Sequence, residues 1–187
     1  MIKIAIYGAG GHGKVVAEAA SLLFGYNSVA IYDDNQSLGQ TLGPWPIEGP
    51  LAALLRDRDK VDRVAIGIGN NDVRRQCQHQ LTNCGFSIPA IIHPHAIASK
   101  LSTVGDGSVL LANAVVNPFV KLGLGSIINT AATIDHDCEI GDYCHISPGA
   151  HLGGGVRVGS STWIGIGAVI KEGIHIGSNV LVGTANA

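Results

Sequence analysis

The chain has 187 residues, with 12 Lys plus Arg against 14 Asp plus Glu and a formal net charge of −2. That balance argues against a nucleic-acid surface or an anionic membrane as partner, and no apolar run reaches the ~18 residues of a membrane span. Only 14% of residues are charged while 26 are glycine, a pairing that suits an all-β repeat with frequent sharp turns rather than a helical protein.

From the N-terminus, Ile2, Ile4 and Ile6 alternate along a first strand. The segment Met1 to Tyr7 lacks the basic start, long apolar core and cleavage site of a signal peptide. Cys77, Cys84, Cys138 and Cys144 show no CxxC spacing and are expected to be reduced thiols of a cytoplasmic protein. The strand runs into Gly8-Ala9-Gly10-Gly11-His12-Gly13, and a helix follows whose apolar stripe is Val15, Val16, Ala19, Leu22 and Leu23. A second strand near Ser28 to Tyr32 ends at Asp33-Asp34. A helix over Leu51 to Arg58 leads to a strand over Arg63 to Ile68, then Gly69-Asn70-Asn71. Asn71 or its neighbour caps a helix from Asp72 to Asn83, and a last strand spans Ser87 to Ile92. This βαβαβαβ alternation over residues 1–95 predicts a small Rossmann-like α/β domain with a parallel sheet.

Gly8-x-Gly10-x-x-Gly13, with Asp33 about twenty residues on, fits a dinucleotide fingerprint. Glycines let backbone amides approach phosphate, and the helix N-terminus favours negative charge. Asp33 is placed to accept bonds from ribose, base or sugar. Residues 1–95 make half of a full dinucleotide fold, and His12 is atypical of an NAD loop. A nucleotide bearing a sugar fits the size better, and a purely structural tight turn is the bland alternative.

From Val104, every sixth residue to Val182 is Val, Leu or Ile, fourteen in succession. Chance agreement is on the order of one in ten million, so the hexapeptide period of a parallel β-helix stands. Gly follows the aliphatic residue at 105, 123, 141, 153, 159, 165, 177 and 183, and a mostly small or apolar residue comes four positions after it. Three repeats close a triangular coil, with the aliphatic residue inside and coils stacked at ~4.8 Å. Residues 96–187 are this domain. Cys138 and Cys144 occupy the small inward position and are expected as core filler. A one-coil prism has little core, so side-by-side trimers are expected. Ala187 falls midway through a coil, which predicts either a further segment or an unusual cap.

Within the repeat, residues 129–155 hold three histidines and four acids. His136 lies between Asp135 and Asp137. Acyl transfer to an amine or hydroxyl needs a base near neutral pKa, the usual work of imidazole. A carboxylate on the other ring nitrogen would fix the tautomer and raise basicity. Donors must also hold the oxyanion, and Gly153-Gly154-Gly155 leaves backbone amides accessible for that. His93, His151 and His175 read as solvated corner residues, and Tyr143 and Trp163 as packing or trimer contacts.

Asn129-Thr130…Ile134-Asp135-His136-Asp137…Ile140-Gly141-Asp142…His145-Ile146…Pro148-Gly149-Ala150, together with Gly8-Ala9-Gly10-Gly11-His12-Gly13, resembles the hexapeptide-repeat sugar acyltransferases. That family includes bacillosamine-type UDP-amino-sugar N-acetyltransferases and sialic acid O-acetyltransferases. The resemblance covers essentially the whole chain. It implies left-handed coils, acetyl-CoA as co-substrate, no metal, a nucleotide-sugar acceptor, and homotrimers with active sites between subunits. By this resemblance His136 is the general base and Asp137 raises its basicity, a role Asp135 shares if the shorter Asp137 replaces the family's frequent Glu. His145, Gly154 and Gly183 contact acetyl-CoA, while Gly10, Gly11, His12, Asp33, Asp34 and Gly69 hold the nucleotide sugar. The expected activity is N-acetylation of a nucleotide-linked amino sugar for bacterial glycan biosynthesis, with sugar O-acetylation second. A zinc hydro-lyase of the carbonic-anhydrase type, using His136, His145 and His151, is a third reading.

Overall fold

A computed structural model of the chain describes residues 3–35 and 39–184; Ile2 and Ala187 lie outside them. The chain forms two compact units, Met1–Ile91 and Ile92–Ala187, dividing four residues before the expected 95/96.

The first unit is built on β1 (Ile4–Tyr7), α1 (Gly11–Phe24), β2 (Val29–Tyr32), β3 (Thr41–Leu42), β4 (Trp45–Gly49), α2 (Leu51–Arg56), β5 (Arg63–Ile66) and α3 (Asn71–Asn83). Its sheet order is β3-β4-β2-β1-β5. The strands β4, β2, β1 and β5 run parallel, and β3 is antiparallel to β4. Strand residues alternate between faces. Ala5, Tyr7, Tyr32, Val64 and Ile66 pack with Ala53 and Leu54 of α2 and Leu81 of α3, which leaves Ile4, Ile6 and Ile31 to the face that α1 covers.

Two features differ from the prediction. Thr41 to Gly49, for which no element was predicted, is a β-hairpin; Pro44 and Pro46 break the alternation that would mark strands. Ser87 to Ala90 was expected to open a strand of this sheet but forms none. Pro89 has no N–H to give a ladder, and the segment lies beside β5 through one bond, Val64 N to Ser87 O at 2.9 Å. Ile91–Ile92 is instead a strand of the coil, and the chain passes from one unit to the other there. The helix cap is Asn70, the neighbour of Asn71, and its side chain accepts the Asp72 and Val73 amides.

The second unit is a left-handed parallel β-helix. Two-residue strands recur from Ile91–Ile92 to Leu181–Val182 and stack into three sheets, one per face of the prism. The first face holds Ile91–Ile92, Val109–Leu110, Ile127–Ile128, His145–Ile146, Trp163–Ile164 and Leu181–Val182. The second includes Val115–Val116, Thr133–Ile134, His151–Leu152 and Val169–Ile170, and the third Lys121–Leu122, Glu139–Ile140, Arg157–Val158 and His175–Ile176. Backbone bonds join each coil to the next, as from Thr133 N to Ala150 O at 2.9 Å and Asp135 N to Leu152 O at 3.0 Å. The aliphatic residues of the period and the small residues between them form one continuous core. Cys138 and Cys144 are fully buried in it, as expected, and their thiols donate to the Gly153 and Gly159 carbonyls at 3.2 Å. Glycine after the aliphatic residue answers to crowding: a Cβ on Gly141 would stand 2.6 Å from the Ser160 amide nitrogen of the next coil.

Candidate active site

His136 lies on the turn that carries the chain from the second face to the third. Its ring Nδ1 is 2.8 Å from Asp137 Oδ2. Since a carboxylate only accepts, Nδ1 carries the proton and Nε2 is left with the free electron pair of a base. Asp137 is positioned by the turn itself. It adopts φ +60°, and Phe119, Gly155 and Gly173, at the same turn position of neighbouring coils, are also left-handed. Asp is among the few residues with a side chain that tolerate this conformation. Asp135 holds the other side, its Oδ1 accepting the His136 amide and Asn117 Nδ2, both at 2.8 Å.

These carboxylates raise the His136 pKa, chiefly through the hydrogen bond to Asp137 and next through the charge of Asp135. The backbone bond from His136 and the bond from Asn117 hold the Asp135 carboxyl below its ordinary value. The His136 side chain is 60% exposed, so its base is open to an acceptor.

The imidazole lies against Gly154 of the next coil, where a Cβ would come within 2.7 Å of Cε1 and 2.9 Å of Nε2. Any other residue there would displace the ring. The amides of Gly153 and Gly155 donate to the Ile170 and His136 carbonyls. The middle amide of this turn stands outside the ladder, and Pro118, with no N–H, occupies the same place two coils earlier.

A second group lies on the first face. A groove of about 400 Å³ is lined by Asn129, His145, Pro148, Trp163, Ile166 and Gly183, among others. His145 is buried and stacked on Trp163, with ring centroids 4.4 Å apart. Its Nε2 is 3.1 Å from Asn129 Nδ2, a donor, so the Nε2 atom accepts. Trp163 Nε1 donates to Ser147 Oγ at 2.8 Å. Trp163, expected as packing, thus also lines the groove.

Within one chain the predicted residues therefore fall into two groups. His136, Asp137 and Gly154 meet at the corner between the second and third faces, and His145 and Gly183 share the groove on the first. His151 points from the second face, its Nδ1 2.8 Å from Thr133 Oγ1. His175 is exposed, whereas His93, expected to be solvated, is buried and its Nδ1 accepts the His95 amide at 3.0 Å. Among the described residues, no group of three or more His, Cys, Asp or Glu is arranged to hold a metal ion.

In the first unit, the predicted nucleotide-sugar residues gather at the carboxyl ends of β1, β2 and β5, where open α/β sheets take ligands. Gly10 is the N-cap of α1 and has no side chain to cap it; Gly11 begins the helix. A Cβ on Gly13 would collide with the Gly8 carbonyl, so this glycine is required by the turn. Asp33 ties the loop together: Oδ2 accepts the Ala9 amide at 2.6 Å and Oδ1 the Asn35 amide at 2.7 Å. A carboxylate has about four acceptor sites, so these bonds leave room for a ligand hydroxyl. Asp34 accepts the Tyr7 hydroxyl at 2.5 Å and the Leu51 amide at 2.8 Å. Burial, followed by the Asp34 bond, pushes the Tyr7 phenol well up, so it stays a donor. Gly69 lies next to His12. Burial first, and the Arg74 charge second, lower the His12 pKa to about 4, keeping the ring neutral at pH 7.

Sequence reasoning missed Asn117, Tyr7 and Arg74. For Arg74 a signal existed: it shares the α3 stripe of Asn71, Gln78 and Leu81, all of them buried.

The model of the PglD N-terminal domain family matches residues 3–81. UDP-N-acetylbacillosamine N-acetyltransferase of Bacillus subtilis is 36% identical over 114 residues, a match covering 60% of this chain and about half (52%) of that protein's length. Among solved structures, the acetyltransferase domain of PglB from Neisseria gonorrhoeae is 40% identical with a TM-score of 0.92, covering 98% of this chain and 89% of that one. The same domain has been solved with acetyl coenzyme A. PerB from Caulobacter crescentus, solved with CoA and GDP-perosamine, is 34% identical with a TM-score of 0.90, covering 97% of this chain and 86% of that one. This chain belongs to the acetyltransferase family represented by the PglB acetyltransferase domain and PerB.

Proposed function

We propose that the protein transfers acetyl from acetyl-CoA to the amino group of a nucleotide-linked amino sugar, with His136 as general base. The reading is carried by His136, whose Nδ1 is held by Asp137 at 2.8 Å while the ring lies against Gly154. The relatives support the choice of substrates, since one holds acetyl coenzyme A and another holds CoA with GDP-perosamine. The neutral amine attacks the thioester carbon, and Nε2 of His136 takes its proton as the N–C bond forms. The Gly154 amide and His145 are placed in this reading at the thioester, where a donor would hold the oxyanion. Collapse breaks the C–S bond, and the His136 imidazolium returns the proton to the leaving thiolate. The products are the acetamido sugar and free CoA, with no covalent acyl-enzyme.

In this reading the groove of His145, Trp163 and Gly183 seats the pantetheine arm, and Gly10, Gly11, His12, Asp33, Asp34 and Gly69 hold the acceptor. The His136 corner and the His145 groove occupy separate places on one prism. A homotrimer that sets one subunit's corner against another's groove would unite them, and the exposed Ile97 and Val169 on the second face suit such a contact. No helix among the described residues is long and apolar enough to cross a membrane. Both substrates are cytoplasmic metabolites, so we place the enzyme there.

Removing a general base typically costs about 10²–10⁴-fold in rate. His136→Ala should lower kcat by that much in a thiol-release assay with the melting temperature unchanged; a kcat equal to that of the parent would sink the proposal. Mixing His136→Ala chains with His145→Ala chains and allowing subunits to exchange should restore part of the activity. A mixture no more active than its components would contradict sites shared between subunits.

The pH profile gives a further check. The base acts in its neutral form, so kcat falls as pH drops through the His136 pKa. Asp137 raises that pKa, so Asp137→Asn should lower it and move the acid limb of the kcat profile to lower pH. A limb that stays in place or moves upward would show that Asp137 does not set the basicity of His136.

A further inference from the structure

Phe119 combines two features that the coil does not explain. Its backbone is left-handed, with φ +64°, and the residue is 58% exposed. A bulky residue with this backbone is a genuine outlier. The later coils fill the same position with Asp137, Gly155 and Gly173, which tolerate it. An aromatic ring left largely in water also adds little to the core. Neither the turn nor the packing calls for phenylalanine here, and an outlier kept for neither reason points to function.

The place of the ring gives that function a chemistry. Asp137 N donates to Pro118 O at 3.2 Å, so the turn Asn117-Pro118-Phe119 lies directly below Asp135-His136-Asp137, one coil earlier. His136 is thus bordered by two unlike surfaces. Above it Gly153, Gly154 and Gly155 present bare backbone, and in the proposed transfer the thioester lies there. Below it Pro118 and Phe119 are both exposed and apolar. A sugar whose amine reaches Nε2 while the thioester lies above has its ring over this lower turn. The C–H face of a pyranose packs on an aromatic ring through dispersion and the negative face of the π-system. The Pro118 and Phe119 side chains offer no donor to a phosphate.

We propose that Phe119 is a specificity residue for the acceptor, its ring the platform on which the C–H face of the amino sugar packs while the amine meets His136. The proposal rests on the reading of a nucleotide-linked amino sugar as acceptor. It adds a contact to the sugar ring itself, which the nucleotide residues of the α/β unit do not supply.

Phe119→Asn and Phe119→Gly remove the ring and suit the left-handed turn, so both should melt no lower than the parent. The probes are GDP-perosamine and a UDP-linked 4-amino sugar. For whichever probe saturates the parent, the acceptor KM should rise about three- to tenfold in both variants. The acetyl-CoA KM and the inhibition constant of the matching bare nucleoside diphosphate should hold, because neither ligand uses the ring. Phe119→Tyr keeps the ring and should keep the acceptor KM of the parent. Leu101→Asn, one coil further down and 62% exposed in the parent, should change none of these constants.

An acceptor KM equal to that of a saturable parent in both Phe119→Asn and Phe119→Gly would overturn the proposal and leave the acceptor reading standing. A parallel rise in the nucleoside diphosphate inhibition constant would mark a general disturbance of the site and overturn it too. If these variants and Leu101→Asn all sediment as smaller species than the parent, Leu101 and Phe119 form a contact between copies of the chain, and the sugar platform is wrong. A parent that acetylates neither probe would sink the acceptor reading and this proposal with it.

Discussion

Residues eighteen apart in the second unit must lie one above another at the strand spacing, because each coil's amides bond to the carbonyls of the next. That stacking decides which side chains can meet. Gly154 lies against His136 because it comes eighteen residues later, at the same turn position. The ring has room only because that residue has no Cβ. The same stacking puts Asn117 beside Asp135, and Asn129 beside the His145–Trp163 pair. Asp137 takes its place by the same rule: four successive coils, at Phe119, Asp137, Gly155 and Gly173, carry a left-handed residue at that turn, and here the residue that tolerates the conformation is also the one that binds His136 Nδ1. Backbone regularity thus places the Asp137 carboxylate, the His136 imidazole and the gap beside them without long-range packing of loops.

Much of this was legible in the sequence, and unevenly so. The six-residue period is a long signal repeated fourteen times, so the coil, its aliphatic interior and the buried Cys138 and Cys144 could be read from it. His136 and Asp137 stood out because a packed coil does not require an imidazole between two acids. In the first unit, each element rests on one short run. The β3–β4 hairpin was hidden by Pro44 and Pro46, and the strand expected over Ser87 to Ile92 failed because Pro89 cannot donate. Arg74 escaped notice because a cation within a helix is normally solvated, and its burial depends on the loop carbonyls that surround it. Asp33 was read toward a ligand, whereas its oxygens first serve the Ala9 and Asn35 amides, contacts that no spacing rule encodes.

The two units carry different kinds of candidate site. The α/β unit presents glycine turns, a neutral histidine, two acids and a buried guanidinium, an arrangement suited to recognising an anionic ligand bearing hydroxyls. The coil presents a base with a fixed tautomer and an apolar groove floored by stacked rings. In the proposed function, recognition and chemistry rest on separate scaffolds. In these terms, substitutions in the first unit should alter which acceptor is used, and those at the His136 corner should alter the rate of transfer itself.

Acetyl transfer to a sugar amine is tested most directly by incubating the protein with acetyl-CoA and a panel of 4-amino nucleotide sugars, following thiol release and the mass of the sugar product together. One acceptor should release CoA in step with the appearance of a singly acetylated product carrying an amide. Thiol release with every hydroxyl acceptor tried and none with any amino sugar would contradict N-acetylation, and no release with either would contradict transfer altogether.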